Sequence, residues 1–171
     1  TPTVISRFTV IPKEATDWIS VTASTYTASV YPGETATFTL SVAASDGFTG
    51  PVFLTSRGAP SEATATFDPN PVTPPGTSLL HVATTAPTIV GTYPMTVTGT
   101  SGEVSSTAHL TLTVNPTLTL SVAPDACAVL PGEMAQYTLS TTTSAGFTDP
   151  VTLTLQGAPP EAMVSFEPNP V

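Results

Sequence analysis

Charged residues are scarce in this chain. Only 9% of its 171 residues are charged, against about 25% in an average soluble protein. Lys and Arg together number 3, and the net charge is −9. Because so few cations are available to neutralise phosphate, nucleic acid and anionic membrane surfaces are excluded as partners. No apolar run reaches the roughly 18 residues of a membrane span, so we expect no membrane insertion.

Residues with reactive side chains are also few. Cys127 is the single cysteine, which excludes an intrachain disulfide and a zinc site built from several thiolates. We expect Cys127 to be a small buried apolar residue. His81 and His109 fall at outward-facing positions of predicted strands, and no sequence motif of a hydrolase, a zinc protease or a phosphate-binding loop is present. The sequence therefore predicts no enzyme, no cofactor, and no catalytic, cofactor-binding or metal-binding residues.

The chain contains an internal repeat. Tyr31–Val72 and Leu130–Val171 align without a gap, and about 25 of the 42 aligned positions are identical. The repeat period is 99 residues, as from Pro32 to Pro131. This period is close to the roughly 100 residues of an immunoglobulin-like sandwich. Repeat arrays usually act as spacers or binding surfaces.

Apolar and polar residues alternate with a period of two. Phe38, Leu40 and Val42 alternate with threonine and serine, the pattern of a half-buried antiparallel strand. Threonine, the commonest residue, favours strands because it is β-branched. No segment carries a helical stripe, so the fold class is all-β, with tandem immunoglobulin-like antiparallel β-sandwiches of about seven strands per complete unit.

Turn residues at regular spacing predict where these strands lie. Tyr93, near the start of one strand, is expected to pack its ring on the core and to bond upstream backbone. Pro94 lacks a donor, which predicts an edge register or a bulge. The predicted strands are a broken strand over Ile19–Val30, then Thr35–Val42, Val52–Ser56, Ala63–Phe67, Ser78–Thr84, Thr92–Gly99 and Ser105–Val114.

The inward-facing members of these strands form the predicted core. In the first copy they are Phe38, Leu40, Val42, Val52, Leu54, Phe67, Leu80, Val82, Tyr93, Met95, Val97, Leu110 and Leu112. In the second copy they are Tyr137, Leu139, Val151, Leu153, Val164 and Phe166.

The repeat divides the chain into three parts. Residues 1–17 are predicted to be the last strand of a preceding repeat plus a linker, because Phe8–Pro12 resembles Leu112–Pro116. Residues 18–115, the first repeat, form a complete unit, and residues 116–171, the second repeat, form the N-terminal part of another. The linker between them, Val114-Asn115-Pro116, is very short, and Pro116 stiffens it because its ring fixes φ. The missing strands of the second repeat are supplied by further sequence or by another chain, and we favour further sequence.

Five elements occur in a fixed order, the first four of them in both repeats, and they carry a resemblance to a known family. They are Pro32–Glu34, Gly47–Gly50, Gly58–Pro60, Phe67–Pro71 and Gly91–Gly99. In this order they resemble the tandem bacterial immunoglobulin-like or fibronectin-III-like repeats of large secreted and cell-surface proteins. The resemblance implies a β-sandwich and an extracellular or cell-surface location. It does not fix the function, because such modules serve as stalks, spacers and enzyme appendages alike.

Carboxylates recur in both repeats and are the candidate metal ligands. The pairs are Glu34 and Glu133, Glu62 and Glu161, and Asp68 and Glu167. With Asn70 on a neighbouring loop, some of them could contribute to a calcium site, but no dense run of aspartates is present. We favour the alternative in which the Glu34 and Glu133 side chains are solvated turn residues and Asp68 and Glu167 cap the Pro-Asn-Pro turn.

Aromatic side chains are the candidate sugar-binding residues. Trp18, Tyr26, Tyr31 and Phe53 are predicted to be exposed, but none is aromatic in the second repeat. Scattered surface aromatics are therefore favoured over a repeated binding stripe. Phe48 and Phe147 do recur, in a Gly-Phe-Thr loop. We expect these two rings to close one end of each sandwich.

The predicted function is a non-catalytic structural or spacer module of an extracellular or cell-surface bacterial protein. One alternative is a segment of a surface filament or lattice that assembles through strand edges. Another is a glycan- or protein-binding appendage of a secreted enzyme. The expected partners are the neighbouring repeats, and in the alternatives other copies of the chain or a cell-surface glycan or protein.

Overall fold

The computed structural model describes residues 17–171. Of residues 1–17, predicted to be the last strand of a preceding repeat plus a linker, all but Asp17 lie outside the described residues. The described residues form strands and no helix, so none of them forms a helix long and apolar enough to cross a membrane. The strands are β1 Ile19–Ala23, β2 Thr27–Val30, β3 Thr35–Ala44, β4 Phe53–Arg57, β5 Thr64–Asp68, β6 Gly76–Ala83, β7 Gly91–Ser101, β8 Val104–Val114, β9 Leu118–Ala123 and β10 Thr138–Thr143.

The first repeat is a sandwich of two four-stranded sheets. One sheet has the strand order β1-β3-β6-β5, and the other has the order β2-β8-β7-β4. Their inner faces share one core, in which Phe38, Leu40, Leu80 and Leu112 are fully buried. The second repeat contributes a separate two-stranded sheet, β9 with β10. The predicted all-β sandwich is confirmed.

The predicted broken strand is confirmed, and its two halves belong to different sheets. β1 pairs antiparallel with β3, and β2 pairs parallel with β8. At the break, Ser24 N–H donates to the Thr39 carbonyl at 3.0 Å. Two residues later the Tyr26 carbonyl accepts from Thr111 N–H at 2.8 Å. The break therefore moves the chain from one layer to the other, and the sandwich contains one parallel pair that the alternation pattern does not predict.

The predicted core is confirmed in the first repeat. Every residue predicted there is buried except Phe67 and Tyr93, which are half-buried and pack against the core. Further apolar residues that were not predicted complete the cluster, among them Ile19, Val21 and Val72. Because all members of the buried cluster lie between residues 19 and 114, the first repeat closes its core with its own side chains.

The core prediction for the second repeat is wrong. Tyr137 is 41% exposed and Val164 is 47% exposed. The other four predicted residues are half-buried, namely Leu139, Val151, Leu153 and Phe166. In the first repeat the equivalent side chains are covered by β6, β7 and β8. Residues 116–171 contain no counterpart of these three strands, so nothing in the second repeat buries this face.

Pro94 lies in the part of β7 that is paired with a neighbouring strand on one side only. The pairing of β4 with β7 ends at Arg57 opposite Thr96. On its other side β7 pairs with β8 without interruption, and Pro94 lies opposite Thr111. Since the missing N–H falls beyond the end of β4, no ladder bond is lost. Of the two alternatives predicted for Pro94, the edge register is confirmed.

The Tyr93 side chain links β7 to the loop before it. Its ring packs against the core cluster, and its hydroxyl donates to the Ile89 carbonyl at 2.7 Å. A second side chain fixes the same loop, since the buried Thr88 hydroxyl accepts from Thr85 N–H at 2.9 Å. The predicted corner role of Tyr93 is confirmed, and side-chain hydrogen bonds tie this loop at Thr85 and at Ile89.

Tyr93→Phe is expected to lower the free energy of unfolding by about 0.5–1.5 kcal/mol, since the ring contacts stay and one hydrogen bond is lost. Urea titration followed by far-ultraviolet circular dichroism measures this change. The matched control is Tyr26→Phe, because the Tyr26 side chain is 50% exposed. The control is expected to stay within about 0.5 kcal/mol of the parent. Equal losses in the two variants would show that the Tyr93 hydroxyl has no such role.

Candidate functional site

Glu34 and Glu133 close the same turn in the two repeats. Tyr31 N–H donates to Glu34 Oε2 at 2.8 Å, and Leu130 N–H donates to Glu133 Oε2 at 2.9 Å. In the reverse direction, Glu34 N–H donates to the Tyr31 carbonyl at 3.0 Å. The intervening Gly33 has φ +93°, a conformation that favours glycine. The two carboxylates are exposed turn residues, as predicted, and they also bind main-chain donors.

Asn70 pairs with Leu54 of β4 as a backbone residue would, and Asn169 pairs in the same way with Leu153, which lies in no strand. Leu54 N–H donates to Asn70 Oδ1 at 2.9 Å, and Asn70 Nδ2 donates to the Leu54 carbonyl at 2.8 Å. Asn169 makes the same two bonds to Leu153, at 2.9 and 3.0 Å. The side-chain amide has one donor and one acceptor in the right geometry for this exchange. The sequence analysis considered Asn70 only as a possible calcium ligand. Its recurrence as Asn169 was the signal in the sequence that could have indicated a structural role.

The remaining recurrent carboxylates do not come together as a metal site. Glu62 Oε1 accepts a hydrogen bond from the neighbouring Ser61 hydroxyl at 2.6 Å. Within residues 17–171, no three His, Cys, Asp or Glu side chains are close enough to hold a metal ion. The bonds that fix the Pro-Asn-Pro turn of the first repeat come from Asn70, whereas Asp68 was predicted to cap it. The described residues therefore provide no set of ligands for the calcium site considered above.

The two histidines pair with threonines on neighbouring strands. His81 Nδ1 lies 3.0 Å from Thr37 Oγ1, and His109 Nδ1 lies 3.2 Å from Thr96 Oγ1. In each case the two residues are direct cross-strand partners. His81 belongs to the β1-β3-β6-β5 sheet and His109 to the other sheet. The fold therefore separates the two imidazoles and gives each a local structural partner.

The four candidate sugar-binding aromatics are exposed, as predicted. Trp18, Tyr26, Tyr31 and Phe53 are each about half exposed, at 49–53%. Tyr26 and Tyr31 flank β2, which is one edge of its sheet. Phe53 lies on β4, the opposite edge of that sheet. Trp18 precedes β1, an edge strand of the other sheet. These side chains are therefore spread over separate edges and do not build one flat platform.

Cys127 is exposed, so the prediction that it is buried is wrong. Its position in the repeat corresponds to Ala28 of β2, which packs against the core of the first repeat. In the second repeat no strand equivalent to β8 is present to pair with this segment, and residues 124–137 form no strand. The missing pairing accounts for the exposure of the thiol.

The second repeat presents an apolar face. Leu118, Leu120 and Val122 of β9 are 48%, 56% and 50% exposed. With Leu139, Val151 and Leu153, the first two of these line a shallow groove. The apolar residues of β9 alternate with Thr119 and Ser121, so this face corresponds to the side that forms the core in the first repeat.

No protein-family model and no curated protein matches the sequence. Among solved structures, the chain is similar to S-layer protein SbsC domains 4 and 5, with 24% identity and a TM-score of 0.40 over 55% of this chain and 50% of that one. SbsC domains 5–6 are 20% identical, with a TM-score of 0.40 over 71% of this chain and 59% of that one. SbsC domains 4–9 are 23% identical, with a TM-score of 0.40 over 61% of this chain and 16% of that one. Each match spans less than two thirds of the solved chain, and likeness of this degree carries no function over.

Proposed function

We propose that the chain is a non-catalytic structural segment, in which sandwich repeats in series set a distance within an extracellular or cell-surface protein. One observation carries the proposal: two pairs of polar residues that recur in both repeats make the same main-chain hydrogen bonds in each. Asn70 and Asn169 each exchange two hydrogen bonds with one main-chain residue, and Glu34 and Glu133 each close a turn. Their recurrence is explained by the fold, without catalytic, cofactor or metal chemistry.

The unit is proposed to be of the immunoglobulin constant type. Its sheet β1-β3-β6-β5 has the order A-B-E-D of that sandwich, and β8-β7-β4 has the order G-F-C. β2 is an additional strand at the edge of the second sheet. The hydroxyl of Tyr93, near the start of β7, bonds upstream backbone as a tyrosine corner does. The unit departs from antibody domains in having Met95, buried at 1% exposure, two residues after this tyrosine where they have a cysteine.

A surface location is supported by the composition of the exterior. Lys and Arg number 3 in the whole chain, so few peptide bonds are open to trypsin-like proteases. The strands present mainly threonine and serine outward, as in β3 at Thr35, Thr37 and Ser41. The proposed module boundaries are residues 18–115 and 116–171, and the proposed partners of each module are its neighbours in the series.

The length added by one repeat tests this proposal. A second copy of residues 18–116 is inserted between Pro116 and Thr117, which preserves the period of 99 residues. Strands of 8–10 residues rise about 3.4 Å per residue, so the maximum dimension from small-angle X-ray scattering is expected to grow by about 30 Å. In the control, Asn115 and Pro116 at the inserted junction are both replaced by glycine, and the gain should be smaller. An unchanged dimension in the parent design would contradict a spacer.

One alternative function is assembly with other chains. Leu118, Leu120 and Val122 lie on an open face of β9 and β10, which a further strand of the same protein or of another chain would cover. Light scattering of the chain in dilute solution separates the two functions. A monomer supports the spacer, whereas a concentration-dependent polymer supports assembly through strand edges. A glycan array probed with the full chain tests the third function, a binding appendage.

A further inference from the structure

The two repeats touch at a defined point. Val90 N–H in the first repeat donates to the Ala145 carbonyl in the second at 3.0 Å. Next to it, a Cβ placed on Gly146 would lie 2.7 Å from Ile89 Cγ2 and 3.4 Å from Val90 N. The main chain of the Ser144–Phe147 loop therefore lies directly on Ile89 and Val90, with no room for a side chain at Gly146.

The first repeat holds its half of this contact in place. The Ile89 carbonyl accepts from the Tyr93 hydroxyl at 2.7 Å, and Thr88 N–H donates to the Thr85 carbonyl at 2.9 Å. Thr88 itself is fully buried. Residues 88–90 are thus fixed from inside the sandwich, and they present an N–H and an apolar side chain outward. A preorganised surface of this kind loses little conformational entropy when a partner binds.

The first repeat has the other half of the contact at its opposite end. Its Ser45–Phe48 loop matches the Ser144–Phe147 loop: Phe48 N–H donates to the Ser45 carbonyl at 3.1 Å, and Phe147 N–H donates to the Ser144 carbonyl at 3.2 Å. Gly47 has φ +85° and Gly146 has φ +84°. The acceptor at the junction is the main-chain carbonyl of Ala145. The equivalent residue in the first repeat is Asp46, whose main-chain carbonyl can accept the same hydrogen bond.

The space over the Ser45–Phe48 loop is open in the part of the chain that the structure describes. No described atom outside its immediate neighbours lies within 4 Å of a Cβ built on Gly47. A shallow recess beside this glycine is lined partly by Ala43, Phe48, Pro74 and Pro75. An apolar side chain that lies over Gly47 as Ile89 lies over Gly146 would stand beside this recess.

We propose that the Ser45–Phe48 loop is a docking surface for another copy of this repeat, whose residues equivalent to Thr88–Val90 bind it. The copy precedes the first repeat in series. Each complete repeat then carries both halves of one head-to-tail joint. Such a heterologous contact can join successive repeats into an open array. The inference deepens the proposed spacer function, because the joint, in addition to the short linker, sets the angle between neighbours.

The joint between the two repeats is tested first, in the full chain with Cys127→Ser. Spin labels on Thr55→Cys and Thr119→Cys, both exposed, report the distance between the repeats by pulsed electron resonance. Gly146→Ala is expected to broaden the distance distribution about twofold or more, because the repeats are then joined by the short linker alone, without the contact at Ile89 and Val90. Gly47→Ala is the matched control, since it imposes the same backbone strain without the contact, and it should leave the width unchanged.

The docking surface is tested next, in the chain carrying the inserted copy of residues 18–116. Labels on Thr55→Cys of the leading copy and Ser20→Cys of the inserted copy, equivalent to Thr119, span the new junction. Gly47→Ala in the inserted copy is now expected to broaden the distribution about twofold or more. The same substitution in the leading copy should have no effect on that distance. The difference arises only if a preceding repeat covers Gly47.

Two outcomes would overturn the joint. One is a broad distribution in the unsubstituted chain, and the other is equal broadening by Gly47→Ala in the leading and inserted copies. Neither outcome depends on what the parent protein does. If the inserted repeat lengthens the chain by the expected amount but Gly47→Ala has no effect on the label distances, the spacer function stands and the proposed joint is refuted. If the label distances are narrowly distributed but the chain binds glycan, the joint stands and the spacer function is refuted.

Discussion

Leu40→Ala is expected to lower the free energy of unfolding of the first repeat by about 3–5 kcal/mol. Leu40 lies on β3 with no exposed surface, in the middle of the core between the two sheets. Removal of its isobutyl group loses apolar burial and leaves a cavity that a well-packed interior fills only in part. Urea titration followed by far-ultraviolet circular dichroism measures the loss as a lower midpoint at an unchanged slope.

The repeat offers a matched control for this substitution. Leu139 holds the position of Leu40 in the second repeat, and it is half-buried beside the shallow groove of β9 and β10. Leu139→Ala removes the same atoms from a site that already contacts solvent, so the loss is expected to stay below about 1 kcal/mol. A smaller loss for Leu40→Ala than for Leu139→Ala would contradict the placement of the core.

Gly58→Ala is the substitution with the second largest expected effect, a loss of about 2–5 kcal/mol. Gly58 follows β4 with φ +89°, a conformation that costs any other residue about 1–2 kcal/mol. A Cβ there would also collide with the Pro94 carbonyl oxygen and lie 3.3 Å from Met95 Cα. Because both obstacles are main chain, β7 must shift to admit the methyl group, and Met95 is part of the core.

Gly33→Ala separates the backbone strain from the collision. Gly33 has φ +93°, and no described atom beyond its chain neighbours lies within 4 Å of a Cβ built there. The control should therefore lose only the strain, about 1–2 kcal/mol. The stability difference between the two variants, from parallel urea titrations, measures the contact between β4 and β7. Equal losses would mean that the approach of Gly58 to Pro94 is not tight.

The strands and the first core follow from short-range patterns in the sequence. The alternation around Phe38, Leu40 and Val42 fixes which side chains face inward, because successive strand residues point to opposite faces. The Gly91-Thr92-Tyr93 start of β7 identifies the tyrosine whose hydroxyl bonds the Ile89 carbonyl. Such features depend on residues close together in the chain, and the sequence displays them directly.

The partners of the strands do not follow from the same patterns. Alternation tells which face of Thr27–Val30 is buried, but it carries no information about which strand lies beside it. The parallel pairing of β2 with β8 joins residues more than 80 positions apart. Ser24–Tyr26 moves the chain between layers, and this step is determined by tertiary contacts. The sequence therefore predicted a break there without the change of sheet.

The errors in the second repeat have one physical cause. Equivalence to the first repeat predicted that Tyr137 and Val164 are buried, yet burial requires the covering strands as well as the pattern. Cys127 is exposed for the same reason. Asn70 was undervalued because its role depends on a side-chain amide reaching Leu54, 16 positions earlier. Its recurrence as Asn169, with the same bonds, shows that the repeat itself held the information.

Residual dipolar couplings measured on the full chain test most directly the claim that the repeats are held in series with a fixed relative orientation. The amides of β3 and β6 in the first repeat and of β9 and β10 in the second supply the couplings. One alignment tensor is expected to fit both sets, with the same magnitude, because a joint and a short linker fix the repeats together. A separate tensor of clearly smaller magnitude for β9 and β10 would contradict the account.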